Sequence, residues 1–522
     1  MASTDTTAAS GAGPAASTLG RDVLASVVVF LVALPLCMGI SIASGMPATA
    51  GIITGIIGGI VVGFLAGSPL QVSGPAAGLS VLVLQIVQQH GVEMIGTIVF
   101  FAGLVQFVAG QLKLGQWFRA VSPAVIHGML AGIGILILAA QFHVMLDGKP
   151  LGTGIQNLLG IPGALMAAIS LSDHHLQAGE IGLLTIASIF AWSAFAPKSL
   201  KVVPAPLVGV LTGMIAAAAS KLGDINYVQV PENFLASAFN NYPTFDKLAR
   251  IAELPILIGA ISIAFIASAE TLLCATAVDQ MHSGPRTKYD KELWAQGVGN
   301  TICGLMGVLP MTGVIVRSGA NVEAGAQTRA SAILHGIWLL LFAALLPWML
   351  RYVPLSALAG VLVFTGYKLA YPKILPALRK FGWAEVAIYF ITIVMIVSTN
   401  LLQGVLVGLG LSLLKLLYAF THLDVRNEES TGSNRVDLHL DGSATLIRLP
   451  KLAAVLEGLK PGADVHVHIT SLDYIDHACL DLLTNWDKQH RGTGGKLTIE
   501  WDDLAQKYHD RHGTGPAAGK AV

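Results

Sequence analysis

Apolar segments recur from about Val23 to about Phe420, and that repetition leaves one class of fold, a chain that crosses a bilayer many times. A spanning helix needs about 20 apolar residues, and roughly twelve such segments fit here, with two further ones that are short and interrupted. Composition agrees. Of the 522 residues 54% are hydrophobic and 12% charged, and mean hydropathy is +0.67, whereas soluble proteins carry about 25% charged residues. A formal net charge of zero excludes a strongly basic surface for nucleic acid. The four cysteines, Cys37, Cys274, Cys303 and Cys479, form no CxxC pair and read as packing thiols, with no metal site or disulfide frame. There is no HExxH, P-loop or dinucleotide fingerprint, so nothing supports an enzyme or a bound cofactor.

The chain divides into parts by composition. Residues 1–20 are small and polar and read as a disordered tail. Residues 21–420 form the membrane body, and 421–434 a charged linker, "THLDVRNEESTGSN". Residues 435–510 read as a small soluble domain, with 511–522 a flexible tail. In it "VDLHLDGSATLIRLP" reads as two strands about a turn at Asp441-Gly442, "KLAAVLEGL" and "ACLDLLTNWDKQH" as helices, "DVHVHI" and "KLTIEW" as strands. With the N-terminus inside, the cytoplasmic loops hold Lys113, Arg119, Lys198, Lys201, Arg286, Lys288, Lys291, Arg329, Lys368, Lys373, Arg379 and Lys380. The opposite loops hold Lys149, Lys221, Lys247, Arg250 and Arg351, and twelve against five places both termini in the cytoplasm.

The two interrupted segments resemble each other. "GSPLQVSGPAAGLSV" is echoed about 240 residues later by "GVLPMTGVIVRSGAN", with Gly67, Pro69 and Gly74 matched to Gly307, Pro310 and Gly313. Irregular backbone at membrane depth is tolerated only where protein lines a cavity, and a matched pair of broken segments points to a transporter binding site. Helices starting near Gly74 and Gly313 would face their free amides toward a shared site. Donors would come from Ser73, Gly74, Ala76, Ala77 and Gly78 on one side, and from Gly313, Val316, Arg317 and Ser318 on the other. Arg317 lies four residues past Gly313, and a cation at that depth marks a substrate pathway unless it is a structural partner of Glu323 or Glu270. Glu270 is the one acid between Ile256 and Val278. Burial favours a neutral carboxyl and a nearby cation a charged one, so a group poised between them can load and release a proton.

"FLVALPLCMGISIASGMPATAGIITGIIGG", "GSPLQVSGPAAGLSVLV", "PMTGVIVRSGANVEAGAQTRASAIL" and "VPLSALAGVLVFTGYKL" resemble, in order and spacing, the signatures of SulP inorganic-anion transporters. The resemblance implies an all-α polytopic fold of fourteen spans. These form two inverted seven-span repeats arranged as core and gate domains, with the third and tenth spans as half-helices. It also implies a homodimer and a cytoplasmic α/β STAS-like domain at the C-terminus. Where sodium-coupled bicarbonate carriers of the family have Asp followed four residues on by Thr, this chain has Glu270 and Cys274. A thiol is a poor ligand for hard Na+. Where many members carry Gln after the first-span Pro, Leu36 stands here. His477 occupies the position where bacterial STAS regulators have a phosphorylated Ser, so that switch is not expected.

The resulting expectation is a secondary transporter of sulfate or bicarbonate in the inner membrane, driven by co-transported H+ and moving by an elevator. Na+ symport and a passive channel or exchanger are the alternatives, and a membrane sensor is a further class.

Overall fold

Two strands of three residues each, buried throughout, cross antiparallel to each other. The rest of the membrane unit is arranged about them. The structure, a computed structural model, describes residues 18–120, 122–170, 173–197, 200, 203–220, 225–229, 241–429, 434–469 and 472–499. The expected N-terminal tail lies outside these residues, except that helix α1 already begins at Thr18; so do Lys198, Lys201 and Lys221.

The first half of the membrane unit runs α1 (Thr18–Ala43), α2 (Ala48–Leu65), β1 (Ser73–Pro75), α3 (Ala77–His90), α4 (Ile95–Gln111), α5 (Pro123–Met145), α6 (Asp173–Phe195) and α7 (Ala205–Ala219). The second runs α8 (Leu254–Met281), α9 (Tyr289–Leu305), β2 (Met311–Gly313), α10 (Ile315–Glu323), α11 (Ala330–Leu345), α12 (Leu355–Ala370), α13 (Trp383–Ser398) and α14 (Leu401–Thr421). An additional helix, Gly154–Ser170, follows α5. Among the described residues seven helices are long and apolar enough to cross a membrane on their own. The shorter ones include α3 and α10, which begin only after the strands.

Packing pairs reveal the repeat. Moving every helix number by seven turns α1–α11 into α8–α4, α2–α11 into α9–α4, α5–α13 into α12–α6 and α1–α10 into α8–α3, and all of these pairs are in contact. The pairs α5–α12 and β1–β2 map onto themselves. Helices α1–α4 with α8–α11 form the core, and α5–α7 with α12, α13 and the start of α14, as far as Leu409, the gate.

The strand register corrects the sequence alignment of the two halves. Gly74 stands opposite Thr312, with Ser73 opposite Gly313 and Pro75 opposite Met311. A two-fold axis through the Gly74–Thr312 pair carries Pro75 onto Gly313 and Ala77 onto Ile315, the first residues of the two half-helices. Gly74 is thus equivalent to Thr312 rather than to Gly313. Each glycine answers a different neighbour: a Cβ on Gly74 would lie 2.2 Å from Arg317 Nη1, and one on Gly313 would lie 1.7 Å from Gln71 Nε2.

A long, close helix seam in the core is α4 on α9. Gly96, Gly103 and Gly110 recur every seventh residue on α4, facing Gly297 and Gly304 of α9, so the backbones meet without side chains between them. A Cβ on Gly103 would be 2.3 Å from the Thr301 amide nitrogen, and one on Gly304 2.2 Å from that of Phe100.

The chain divides into two units between Leu409 and Gly410. In the second, parallel strands β4 (Arg435–Ala444), β5 (Asp464–His468), β6 (Leu472–Ile475) and β7 (Lys496–Ile499) are flanked by α15 (Leu449–Glu457) and α16 (His477–Arg491). Two expectations are corrected. The stretch 421–434, read as a linker, carries a strand at Leu423–Glu429 that pairs antiparallel along β4, with Leu423 buried against the sheet core. Residues 435–444, read as two strands about a turn, are one strand. Gly442, at φ +99°, forms a bulge there instead, shifting the register as β4 leaves β5 for β6. Asp476 caps α16 by accepting the Cys479 amide at 2.8 Å. The histidines have local partners: His468 contacts Asp437 at 2.9 Å, and His490 contacts the Ala463 carbonyl at 2.8 Å.

Gly103→Ala is expected to destabilise the core by about 1–3 kcal/mol, because the intruding methyl meets backbone that cannot yield. The thermal midpoint of the purified protein should fall, while Gly163→Ala, where a Cβ meets nothing within 4 Å, should leave it unchanged.

Candidate functional site

The crossing survives in an apolar surround because polar side chains from the core helices satisfy its backbone. The Asn300 side chain takes both sides of Met311, accepting its N–H at 2.7 Å and donating to its carbonyl at 3.0 Å. It also donates to Gln106, which in turn donates to Ser268 of α8. The Glu292 carboxylate, wholly buried, accepts from the amides of Gly67 and Ser68 at 2.8 and 2.9 Å, and from the side chains of Gln71 and Gln296. Asn321 donates to the Leu70 carbonyl at 2.9 Å, and Val314 N–H to the Val72 carbonyl at 2.9 Å. Together these bonds clamp the approach to β1 and both edges of β2.

The residues expected at the site separate into three roles. Ser73 and Ser318 are scaffold. The Ser73 hydroxyl accepts from Gln296 at 2.6 Å, and the Ser318 hydroxyl accepts from Val72 N–H at 2.9 Å while donating to the Val314 carbonyl at 2.8 Å. The Gly313 amide is also committed, donating to Thr271 Oγ1 at 3.1 Å. The open donors are further along. In α3 the first helical bond runs from Leu79 N–H to the Ala76 carbonyl, and in α10 from Ser318 N–H to the Val314 carbonyl. Ahead of them, the amides of Ala77 and Gly78 and of Ile315 and Val316 have no acceptor within their own helices. Ala76 caps α3 in extended conformation, and Val316 projects outward with 42% of its surface exposed.

Arg317 takes the third role. Its side chain is 0% exposed, and none of its three guanidinium nitrogens has a hydrogen-bond partner among the described residues. It packs on Gly74, and Nη1 with Cys37 Sγ flanks Gly55, where a Cβ would be 4.0 and 2.8 Å from them. No ion pair joins it to Glu270 or to Glu323, which is solvent-exposed, so the structural-pair alternative is excluded among the described residues. The positive end of both half-helices and an unpaired cation therefore lie together. A unit charge 5–6 Å from an anion contributes about 3 kcal/mol at an effective dielectric of about 20.

Glu270 joins the same place from α8. It packs so closely on Gly78 that a Cβ there would be 2.0 Å from Oε1, and its buried Oε2 has no hydrogen-bond partner among the described residues. Its neighbour Thr271 holds β2, and one turn on Cys274 Sγ lies 3.6 Å from the Ser318 hydroxyl. Glu270 and Cys274, one turn apart on α8, thus touch the two half-helices. The first-span residues contribute packing: Cys37 lies beside Gly55, and the Ser41 hydroxyl is bonded to the Pro47 carbonyl and the Gly51 amide.

The sequence reading missed Glu292, Gln296 and Asn300, which hold the crossing. Their spacing of four residues places them on one face of α9 as a polar stripe.

The family profile described as the sulfate permease family matches residues 19–392. The chain belongs to the sulfate permease family. It is 28% identical to the putative sulfate transporter YvdB of Bacillus subtilis over 433 residues, 80% of this chain and 76% of that one. It is 25% identical to the bicarbonate transporter BicA of Picosynechococcus over 405 residues, 74% of this chain and 68% of that one. Among solved structures, the transmembrane domain of a cyanobacterial BicA superposes with a TM-score of 0.64 at 23% identity, covering 76% of this chain and 98% of that one. Murine Slc26a9 in the inward-facing state superposes with a TM-score of 0.76 at 12% identity, covering 95% and 88%. At these identities the two structures show a shared fold. The curated relatives are transporters, not enzymes.

Because Gly74 leaves room for the guanidinium, Gly74→Ala should lower anion uptake in proteoliposomes about tenfold or more at equal protein incorporation. Gly319→Ala, on α10 with Arg317 but with nothing within 4 Å of the added Cβ, should transport normally.

Proposed function

We propose that this sulfate permease is a secondary active transporter of a small oxyanion, sulfate or bicarbonate, coupled to proton movement. The observation that carries the proposal is Arg317, a fully buried guanidinium without a hydrogen-bond partner among the described residues, beside two helix starts whose first amides have no acceptor within their own helices. An anion with several acceptor oxygens suits such a site, because amide donors approach it from two sides and, among the described residues, no carboxylate is within bonding distance of the cation. Ala77 and Gly78 on α3 and Ile315 and Val316 on α10 supply the donors. Arg317, behind Gly74, acts through its field.

Glu270 supports proton coupling. It borders the first turn of α3 at Gly78 and sits one residue from the side chain that holds β2. Its protonation state therefore bears on both walls of the anion site at once. The core carries this whole assembly on α3, α8 and α10, so movement of the core past the gate would carry anion and proton together, as an elevator does. Sulfur at Cys274, against the Ser318 hydroxyl, leaves fewer oxygen donors for Na+ there. The C-terminal α/β unit is assigned as a STAS-type domain on the cytoplasmic side, the protein as a homodimer of the inner membrane.

Arg317→Ala should weaken anion binding about 100-fold, matching loss of about 3 kcal/mol of charge stabilisation, and uptake should fall to background while the variant elutes as folded protein. Unchanged uptake would remove Arg317 from the site. Glu270→Gln should abolish accumulation driven by an imposed pH gradient while anion exchange persists. Acid-stimulated uptake equal to that of the unaltered protein, or accumulation that follows a Na+ gradient instead, would rule out the proton role.

A further inference from the structure

The turn between α12 and α13 carries charge that the transport site does not use. From Tyr367 to Trp383 the chain holds four cations, Lys368, Lys373, Arg379 and Lys380, and no acid. All four are exposed, and none has a carboxylate partner among the described residues. The nearest acid in sequence, Glu385, is taken by the Ser122 hydroxyl at 2.8 Å. Aromatic rings accompany the charges. The Arg379 guanidinium lies 4.8 Å over Trp383, and Lys373 Nζ lies 5.9 Å over Tyr371.

Those rings are themselves exposed, Trp383 by 68% and Phe381 by 74%. The short helix Leu375–Lys380 turns its Leu378 inward, and with Trp383 and Val386 it borders an open groove floored by Leu375 and Pro376. The segment joins two apolar helices, so it lies at the rim of the bilayer's hydrocarbon region. Exposed aromatic rings are characteristic of the headgroup layer there, and unpaired basic residues in that layer recognise anionic lipid.

The geometry points to an anionic-phospholipid site at this turn: the Arg379 and Lys380 side chains bind the lipid phosphate, and the groove beside Trp383 takes the start of its acyl chains. The site stands apart from the anion pathway and does not rest on the transport reading. A lipid phosphate answers both features, the charge and the apolar groove, whereas free phosphate or an acidic protein segment answers only the charge.

The test is native mass spectrometry of the full chain released from detergent, titrated with phosphatidylglycerol or phosphatidylcholine of identical acyl chains. The unaltered protein should retain phosphatidylglycerol in preference to phosphatidylcholine. The double variant Arg379→Gln/Lys380→Gln should bind phosphatidylglycerol about 25-fold more weakly, about fivefold for each cation removed. Lys288→Gln/Lys291→Gln, with the same change of net charge elsewhere, should bind it normally. If the double variant elutes aggregated, the single exposed variant Lys380→Gln serves, with an expected loss of about fivefold. Equal retention of the two lipids, as a protein-docking surface would give, overturns the proposal. So does unchanged phosphatidylglycerol binding in these variants, or its displacement by millimolar inorganic phosphate, which would mark a site for soluble anions.

Discussion

The membrane unit depends on one contact, the antiparallel meeting of Ser73–Pro75 with Met311–Gly313. Six residues of extended backbone sit where neither solvent nor helix can satisfy them, and every unpaired amide or carbonyl there would cost several kcal/mol. The two strands supply each other's partners. Asn300 takes both backbone groups of Met311 and Thr271 the Gly313 amide, while Glu292 and Asn321 hold the chain leading into β1. Once that is done, the helices beyond must begin inside the protein, and their first amides are left as donors. The proposed anion site is thus a by-product of ending two helices early.

Charge then follows geometry. Glu292 is buried but surrounded by four donors, so it is spent on structure. Arg317 and Glu270 are not bonded to each other, and each packs against its own glycine, Gly74 and Gly78, with unsatisfied polar atoms. A buried pair in direct contact would neutralise itself and leave nothing for a substrate. Kept apart, the cation remains available to an anion, and the carboxyl to a cation.

Much of this was legible in the sequence because the interruptions are written in Gly and Pro, and because a lone Arg or Glu stands out in an apolar run. The pairing of the two broken segments and the position of Arg317 follow from those signals, whereas the inverted arrangement of the repeat came only with the resemblance to the SulP family. Hydrogen-bond partners did not follow. Ser73 and Gln296 are 223 residues apart, and Val72 and Ser318 are 246 apart. Nothing local distinguishes a serine that caps a neighbouring strand from one that meets a substrate. The one-residue slip between halves has a similar origin. Gly74 and Gly313 invite alignment as the same position, yet one makes room for a guanidinium and the other for an amide. In the C-terminal unit, "LDVRNEE" carries too few apolar residues to signal a strand, and its pairing is dictated by the open edge of β4.

The central claim, that an anion binds between the first turns of α3 and α10, is tested most directly at Val316. This side chain is exposed, in the first turn of α10, and no part of the hydrogen-bonded crossing. In Val316→Cys protein reconstituted in liposomes, the rate of labelling by a charged thiol reagent should fall at least about fivefold when the transported anion, sulfate or bicarbonate, is saturating. Thr212→Cys, on α7 of the gate, should label at the same rate with or without anion. Labelling of Val316→Cys that is indifferent to an anion the same liposomes accumulate would contradict the account.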